Sequence, residues 1–221
     1  MKTKMTFNQC VPVLLMVLGT VAILFAVIRL LAMDQALSTG VIPEEPPGLT
    51  PYIDHPIISI LHLLPGILFM LLGPLQFTSS IRNRWPSAHR WSGRLFVLSG
   101  LITAISAIAM AILFPVIVNH FTTAANLTFG GALFIALIIA FHAIKNRDIT
   151  RHRAWMIRAY AIGLSVATMR IFFGGVFVIF GEFNDAYLPS LVWLTFLLHI
   201  AIAELILARK KQHHYAATEV A

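Results

Sequence analysis

The chain has 221 residues, of which 58% are hydrophobic and only 11% are charged. Soluble domains are typically about 45–50% apolar and about 25% charged, so this composition excludes an ordinary soluble protein and indicates a polytopic membrane protein. The formal net charge is +7, but the basic residues are placed as membrane topology requires, so we predict no nucleic-acid partner. The single cysteine, Cys10, excludes an intramolecular disulfide and a cysteine metal cluster.

Six apolar segments are long enough to cross a membrane as helices, since about 20 residues span roughly 30 Å of hydrocarbon. None of them alternates apolar and polar residues as the strands of an outer-membrane barrel do. The predicted fold is an all-α, six-helix membrane bundle that forms a single domain over residues 1–221. The predicted spans are residues 11–31, 56–78, 95–118, 124–144, 155–181 and 187–208.

The beginning of the chain and the first connection have distinct compositions. Lys2 and Lys4 precede the first span, as in a signal peptide, but the apolar core is long for one and no clear cleavage site follows. We therefore expect the first span to be retained. Residues 35–55 form the one long polar connection between spans and contain four prolines, so they are predicted to be an irregular loop.

Lysine and arginine are concentrated on one side of the predicted bundle. Of the 16 basic residues, 14 lie in the termini and connections of that side, whereas the opposite connections carry acidic residues. The positive-inside rule then predicts a bacterial-type cytoplasmic membrane protein with both termini in the cytoplasm. The basic surplus is expected to contact the anionic headgroups of the lipid bilayer.

Two similar strings lie on this basic side, AHRWSGRLF at 88–96 and RHRAWMIRAY at 151–160. Their arginines are explained by topology, and their tryptophans by anchoring at headgroup level. The histidines are not explained in this way, because a neutral imidazole adds little to a charge signal. His62 and His142 lie in the spans that precede the two strings, which hints at an internal duplication.

Ionisable side chains inside apolar spans cost free energy, so each of them is a functional hypothesis. From a rise of 1.5 Å per residue, His62 lies about 9 Å below the outer start of its span, and Arg170 lies about 8 Å below the outer face. These two residues therefore share a layer. Further polar side chains lie near the midplane or the inner face: Gln76, His89, His142, His152, His199 and Glu204.

A b-type haem needs a histidine on each of two helices at matching depth, with arginines close to the propionates. A quinone carbonyl is another partner for a buried cation such as Arg170. The leading hypothesis is therefore a redox-related protein that binds haem b or a quinone, together with a redox partner. The candidate residues are His62, His89, His152, Arg94, Arg158 and Arg170, with His142, His199, Gln76 and Glu204 as alternates.

A second class of function stays open: a non-enzymatic structural, assembly or lipid-interacting membrane protein, or a small transporter. A transporter would use a partial proton relay through His62, His199 and Glu204, but Glu204 is the only acid at membrane depth. We find no metal-binding motif beyond the haem-ligand candidates. No residue is assigned as catalytic, and the sequence leaves enzymatic activity open.

Taken together, these motifs resemble a bacterial integral membrane family catalogued as domain of unknown function 2306. The resemblance covers about residues 55–208, and it implies a multi-helix membrane protein without an assigned reaction. His142 and His199 lie outside the matching blocks. The blocks are His62, LLGPLQF at 71–77, Arg82, HRWSGR at 89–94, HRAWMIRAYA at 152–161, Arg170 and AELIL at 203–207. The shared motif set implied by the resemblance is His62, Gln76, His89, Arg94, His152, Arg158, Arg170 and Glu204.

Overall fold

The computed structural model describes residues 7–43, 48–114, 120–180 and 187–219, with side chains from 12 onward and up to 209. Over these residues the chain is all-helical, and six of its helices are long and apolar enough to cross a membrane, which confirms the predicted fold class. The helices are α1 (Phe7–Thr39), α2 (Thr50–Asp54), α3 (Pro56–Phe77), α4 (Ser79–Arg84), α5 (Pro86–Leu113), α6 (His120–Lys145), α7 (Ile149–Phe180) and α8 (Leu188–Glu219).

Several helices run past the predicted spans, because lysine, arginine and glutamine continue a helix as well as leucine does. Helices α5 and α7 begin at 86 and 149 instead of 95 and 155. The prediction of an irregular loop over 35–55 is wrong at both ends, since 35–39 belong to α1 and 50–54 form α2. The predicted end of the third span, at 115–118, lies outside the described residues.

The long helices form one bundle with two chemically different ends. Helix α3 packs on α1 and α5, whereas α7 packs on α1, α6 and α8. The two strings begin α5 and α7 at the same end of the bundle, which we call the basic end. The other end, where α1 leads into α2, is called the opposite end. Within the described residues α5 and α7 make no close backbone contact, so side chains fill the space between them.

An aromatic layer fills that space: Phe69, Phe77, Phe96 and Tyr160. Phe69 stacks on Phe96 with ring centroids 4.3 Å apart, and Tyr160 lies 5.3 Å from Phe77 and 5.8 Å from Phe96. A Cβ atom at Gly73 would overlap the ring of Tyr160, so only glycine lets α3 approach this ring so closely. The layer therefore gives the bundle a close-packed centre.

Two prolines inside α3 each remove a helical hydrogen bond, because proline has no N–H to donate to the carbonyl four residues earlier. Pro65 frees the carbonyl of Leu61, and Pro74 frees the carbonyl of Met70. Hydroxyl groups on neighbouring helices replace the missing donors. Tyr160 Oη donates to the Met70 carbonyl at 3.2 Å. The hydroxyl of Ser106 on α5 lies 3.3 Å from the Leu61 carbonyl and shares its proton with two carbonyls of its own helix, at 2.8 and 3.0 Å. Each proline thereby binds α3 to another helix.

Candidate functional site at the basic end

The string 88–96 begins helix α5. Pro86 occupies the first turn, where a missing N–H costs no helical hydrogen bond. Trp91 and Arg94 are neighbours on the helix surface because they are three residues apart. The guanidinium carbon of Arg94 lies 4.7 Å from the centroid of the Trp91 ring, and both side chains are exposed. This stack holds a cation where an interfacial tryptophan meets lipid headgroups.

The string 151–160 begins α7 in an equivalent way, after a tight turn from α6. The carboxylate of Asp148 accepts a hydrogen bond at 2.9 Å from the N–H of Arg151, which caps the helix. Trp155 and Arg158 repeat the three-residue spacing, and the guanidinium carbon again lies 4.7 Å from the ring centroid. The similarity of the two strings thus corresponds to two equivalent Trp–Arg stacks.

The histidine of the second string is held in one orientation. His152 Nδ1 lies 2.9 Å from the carbonyl oxygen of Ala140, near the end of α6. A carbonyl oxygen only accepts hydrogen bonds, so Nδ1 is the protonated nitrogen and Nε2 keeps its lone pair in the neutral ring. The side chain is half-buried. His152 therefore presents a fixed hydrogen-bond acceptor at Nε2.

The histidine of the first string carries a buried nitrogen without a partner. His89 Nδ1 is the one buried side-chain N or O atom that lacks a hydrogen bond among the described side chains. Such atoms are rare because burial without a partner costs free energy, and each exception requires an explanation. His152, Arg82 and Arg90 are close enough to act electrostatically on His89. The histidines of both strings therefore lie within electrostatic range of each other, in a positive surrounding.

Gln76 fixes the end of α3 against this part of α5. Its Nε2 donates to Ser92 Oγ at 2.7 Å, and Ser92 Oγ donates to the Ala88 carbonyl at 2.8 Å. A Cβ atom at Gly93 would lie 3.0 Å from Gln76 Oε1, so the glycine leaves room for the amide. The amide thus joins α3 to the helix turn that carries His89.

Arg158 and Glu204 join α7 to α8. Arg158 Nε donates to Glu204 Oε1 at 2.6 Å, and Arg158 Nη2 donates to Oε2 at 2.9 Å. This two-point geometry is the strong form of an arginine–carboxylate pair. Both side chains are partly exposed, at 28% and 49%. Glu204 therefore neutralises the charge of Arg158 within the chain.

Neutralising both members of this pair should cost little more than neutralising one of them. Arg158→Gln and Glu204→Gln are each expected to destabilise the protein, with a coupling free energy of about 1 kcal/mol for the partly exposed pair. A double-mutant cycle on unfolding free energies in mixed micelles measures this coupling. Arg153→Gln, on the exposed face of α7, serves as the control and should not couple to Glu204→Gln. Additive effects of the two changes would contradict the prediction.

His62 lies away from His89 and His152, between α3 and α5. Its Nδ1 is 3.2 Å from the Thr103 carbonyl oxygen and 3.4 Å from Ser106 Oγ. Fourteen residues of α3, about 21 Å of helix, separate it from Gln76 at the basic end. The structure therefore places His62 in a polar contact toward the opposite end and not beside His89.

The two alternate histidines also have local partners. His199 Nε2 lies 2.8 Å from Thr168 Oγ1, and this buried contact joins α8 to α7. His142 is exposed, and its Nε2 lies 2.8 Å from Asn146 Nδ2 at the end of α6. No described hydrogen bond links either residue to His89 or His152.

Arg170 lies within electrostatic range of a second arginine, Arg29, which was not among the predicted site residues. Its guanidinium carbon lies 5.6 Å from the ring centroid of Phe25 on α1. Arg29 lies one turn further along α1, 4.7 Å from the ring centroid of Tyr52, and Arg170 acts on it electrostatically. The signal was present in the sequence, because Arg29 is an ionisable residue inside the predicted span 11–31.

The family comparison covers the part of the chain that carries these motifs. The profile of a family described as "Predicted membrane protein (DUF2306)" matches residues 59–207, which is more than half of the chain. No curated protein and no solved structure matches the chain. The family description names a membrane protein and no reaction, in agreement with the six long apolar helices. The chain belongs to the DUF2306 family of predicted membrane proteins.

Proposed function

We propose that the protein is a redox-related membrane protein that binds b-type haem or a quinone at the basic end, through His89 and His152. The charge asymmetry supports a cytoplasmic membrane location with both termini in the cytoplasm, so that this end faces the cytoplasm. The observation that carries the proposal is the buried Nδ1 of His89, which has no hydrogen-bond partner and lies near His152.

The donor chemistry of these residues fits haem iron. Metal-binding histidines typically donate their second ring N–H to a carbonyl group, as His152 does to Ala140. This leaves the Nε2 lone pair of His152 for a metal, and His89 adds a second imidazole with an unused nitrogen. The exposed cation of Arg94 suits a propionate. A bound haem would supply one-electron transfer.

The same two rings fit a quinone by hydrogen bonding. A protonated Nδ1 of His89 would donate to a quinone carbonyl, and this would give the atom the hydrogen-bond partner that it lacks. The Nε2 lone pair of His152 would accept the proton of a reduced hydroxyl group. The aromatic layer lies about 10 Å deeper, at Phe96, seven residues after His89 on the same face of α5. It closes the site toward the centre of the bundle.

The test is a cofactor analysis of protein purified in mild detergent after expression with added haem. For haem, we expect a Soret band that shifts on dithionite reduction, with sharp α and β bands. For a quinone, we expect a near-stoichiometric amount in a solvent extract. His89→Ala and His152→Ala should each remove most of the bound cofactor. His142→Ala, an exposed histidine with a local partner, should retain it.

Two outcomes would contradict the proposal. One is a folded protein that carries neither haem nor quinone under these conditions. The other is a cofactor that both His89→Ala and His152→Ala retain. The first result would favour the alternative, a non-enzymatic structural, assembly or lipid-interacting protein whose basic end serves helix packing and headgroup contact. The second would place the cofactor away from His89 and His152.

A further inference from the structure

We propose that the turn between α6 and α7, residues 145–151, is a docking surface for an acidic soluble protein. This proposal goes beyond the proposed function and does not depend on it. The charged side chains of the α6–α7 turn are all exposed: Lys145, Arg147, Asp148 and Arg151. The ammonium of Lys145 lies 5.9 Å from the ring centroid of Phe141, one turn back along α6. The proposal therefore rests on the two arginines.

Arg147 has a backbone conformation that arginine rarely adopts. The N–H of Asp148 donates to the Ala143 carbonyl at 2.9 Å, and the N–H of Arg147 donates to the Ile144 carbonyl at 3.1 Å. These two bonds form a Schellman motif at the end of α6, with Arg147 in the left-handed position at φ 61°. Glycine is the usual residue there, since a Cβ atom is unfavourable in this conformation. Arginine therefore lowers the stability of the turn.

Arg151 also lies where its charge is unfavourable. It belongs to the first turn of α7, which begins at Ile149 and contains no acidic residue. The N-terminal end of a helix carries a partial positive charge that repels a cation. Asp148, directly before the helix, offsets part of this repulsion, and its carboxylate accepts the N–H of Arg151. Two exposed arginines thus lie close together at positions where both lower stability, and such local costs are typical of functional sites.

The α6–α7 turn extends past the lipid headgroups. Ile149 lies six residues before the interfacial Trp155, which corresponds to about 9 Å of helix, and Arg147 precedes Ile149. The headgroup region adds only about 5–7 Å on each side of the hydrocarbon. Arg147 therefore faces the aqueous phase, and Arg151 lies at its border.

Membrane topology does not require arginines at this height. The positive-inside rule needs basic residues near the ends of the spans, and the Trp–Arg stacks of Arg94 and Arg158 already supply them. Cations that extend into water instead attract carboxylate groups of soluble partners and speed their association. Charge and position together therefore favour an acidic protein over a lipid headgroup.

The experiment measures binding of a fluorescent glutamate-rich peptide to the protein in nanodiscs of phosphatidylcholine, whose surface has no net charge. Affinity should fall as the salt concentration rises, and a glutamine-rich peptide of the same length should not bind. Arg147→Gly and Arg151→Gln should each weaken the affinity about threefold, and the double variant about tenfold. Arg147→Lys should retain it. The control is Arg84→Gln, an equal loss of charge beside the exposed Trp85, and it should also retain the affinity.

Stability distinguishes a docking role from a structural role. Arg147→Gly and Arg151→Gln should each raise the thermal unfolding midpoint while they weaken peptide binding, because each change removes a local cost. If the arginines served only to hold the turn together, both changes would lower the midpoint, and the proposal would be wrong.

Four further results would overturn the docking surface. The first is a wild-type protein that does not bind the glutamate-rich peptide, and the second is a double variant that binds it as tightly as wild type. The third is an equal loss of affinity in Arg84→Gln, which would show attraction by overall charge alone. The fourth is a stabilisation by phosphatidylglycerol that the double variant loses, since this would assign the two arginines to anionic headgroups.

Discussion

Gly73→Ala is expected to destabilise the bundle by about 3 kcal/mol or more, near the upper end for overpacking a close-packed core. The added Cβ would overlap Cε2 and Cζ of the Tyr160 ring. That ring cannot move aside easily, since it packs against Phe77 and Phe96 and its hydroxyl donates a hydrogen bond to the Met70 carbonyl oxygen. The measurement is the free energy of unfolding in mixed micelles, compared with that of wild-type protein.

Matched variants test whether the overlap with Tyr160 is the cause. Gly131→Ala serves as the control, because a Cβ atom at Gly131 meets no atom within 4 Å. It should be neutral or mildly stabilising through its higher helix propensity. In the Gly73→Ala background, Tyr160→Leu should restore part of the lost stability, whereas Tyr160→Phe should not, because phenylalanine keeps the ring. Equal stability of the two glycine variants would contradict the prediction.

Phe69→Ala is expected to have the second large effect, a loss of about 3 kcal/mol from the cavity that it leaves. The Phe69 ring is 1% exposed and stacks on Phe96. It also lies against two glycines: Cβ atoms at Gly100 and Gly163 would be 2.7 Å and 2.6 Å from it. Lipid tails are as apolar as a protein core, so the loss comes from van der Waals contacts and not from hydration.

The control for this change is a phenylalanine that faces outward. Phe141 is 48% exposed, so Phe141→Ala removes few protein contacts. Its unfolding free energy should stay within about 1 kcal/mol of the wild-type value. Phe69→Leu should lie between wild type and Phe69→Ala, because it fills part of the cavity. A Phe69→Ala protein as stable as Phe141→Ala would show that the aromatic layer is loosely packed.

The sequence predicted the spans well because the bilayer sets a length that apolar runs must meet. It misplaced the starts of α5 and α7 because an apolar run ends where the hydrocarbon ends, whereas a helix ends where its hydrogen bonds end. Arginine and tryptophan at 90–94 and 151–155 sit at the interface yet continue the helix. The same reason explains why α1 extends to Thr39.

The candidate site was only partly accessible to sequence reasoning. The repeated strings place His89 and His152 near one face of the membrane, and helical rise gives their depth. The rotation of each helix and the choice of packing partners are set by shape, as in the fit of Gly73 to Tyr160, and hydropathy does not encode them. The pairing of Arg158 with Glu204 and of Arg170 with Phe25 therefore became visible only in the structure. Ligand binding by these residues stays a prediction.

The prolines of α3 have a consequence for how the protein is made. Synthesis delivers α3 to the membrane before the hydroxyl donors exist, since Ser106 and Tyr160 come later in the chain. Until then, the carbonyls of Leu61 and Met70 have no donor in the helix, and an unsatisfied carbonyl in hydrocarbon costs several kcal/mol. Helix α3 alone is therefore unfavourable in the lipid bilayer. It becomes stable in the bilayer once α5 and then α7 pack beside it. We therefore expect these helices to assemble in the order in which they are translated.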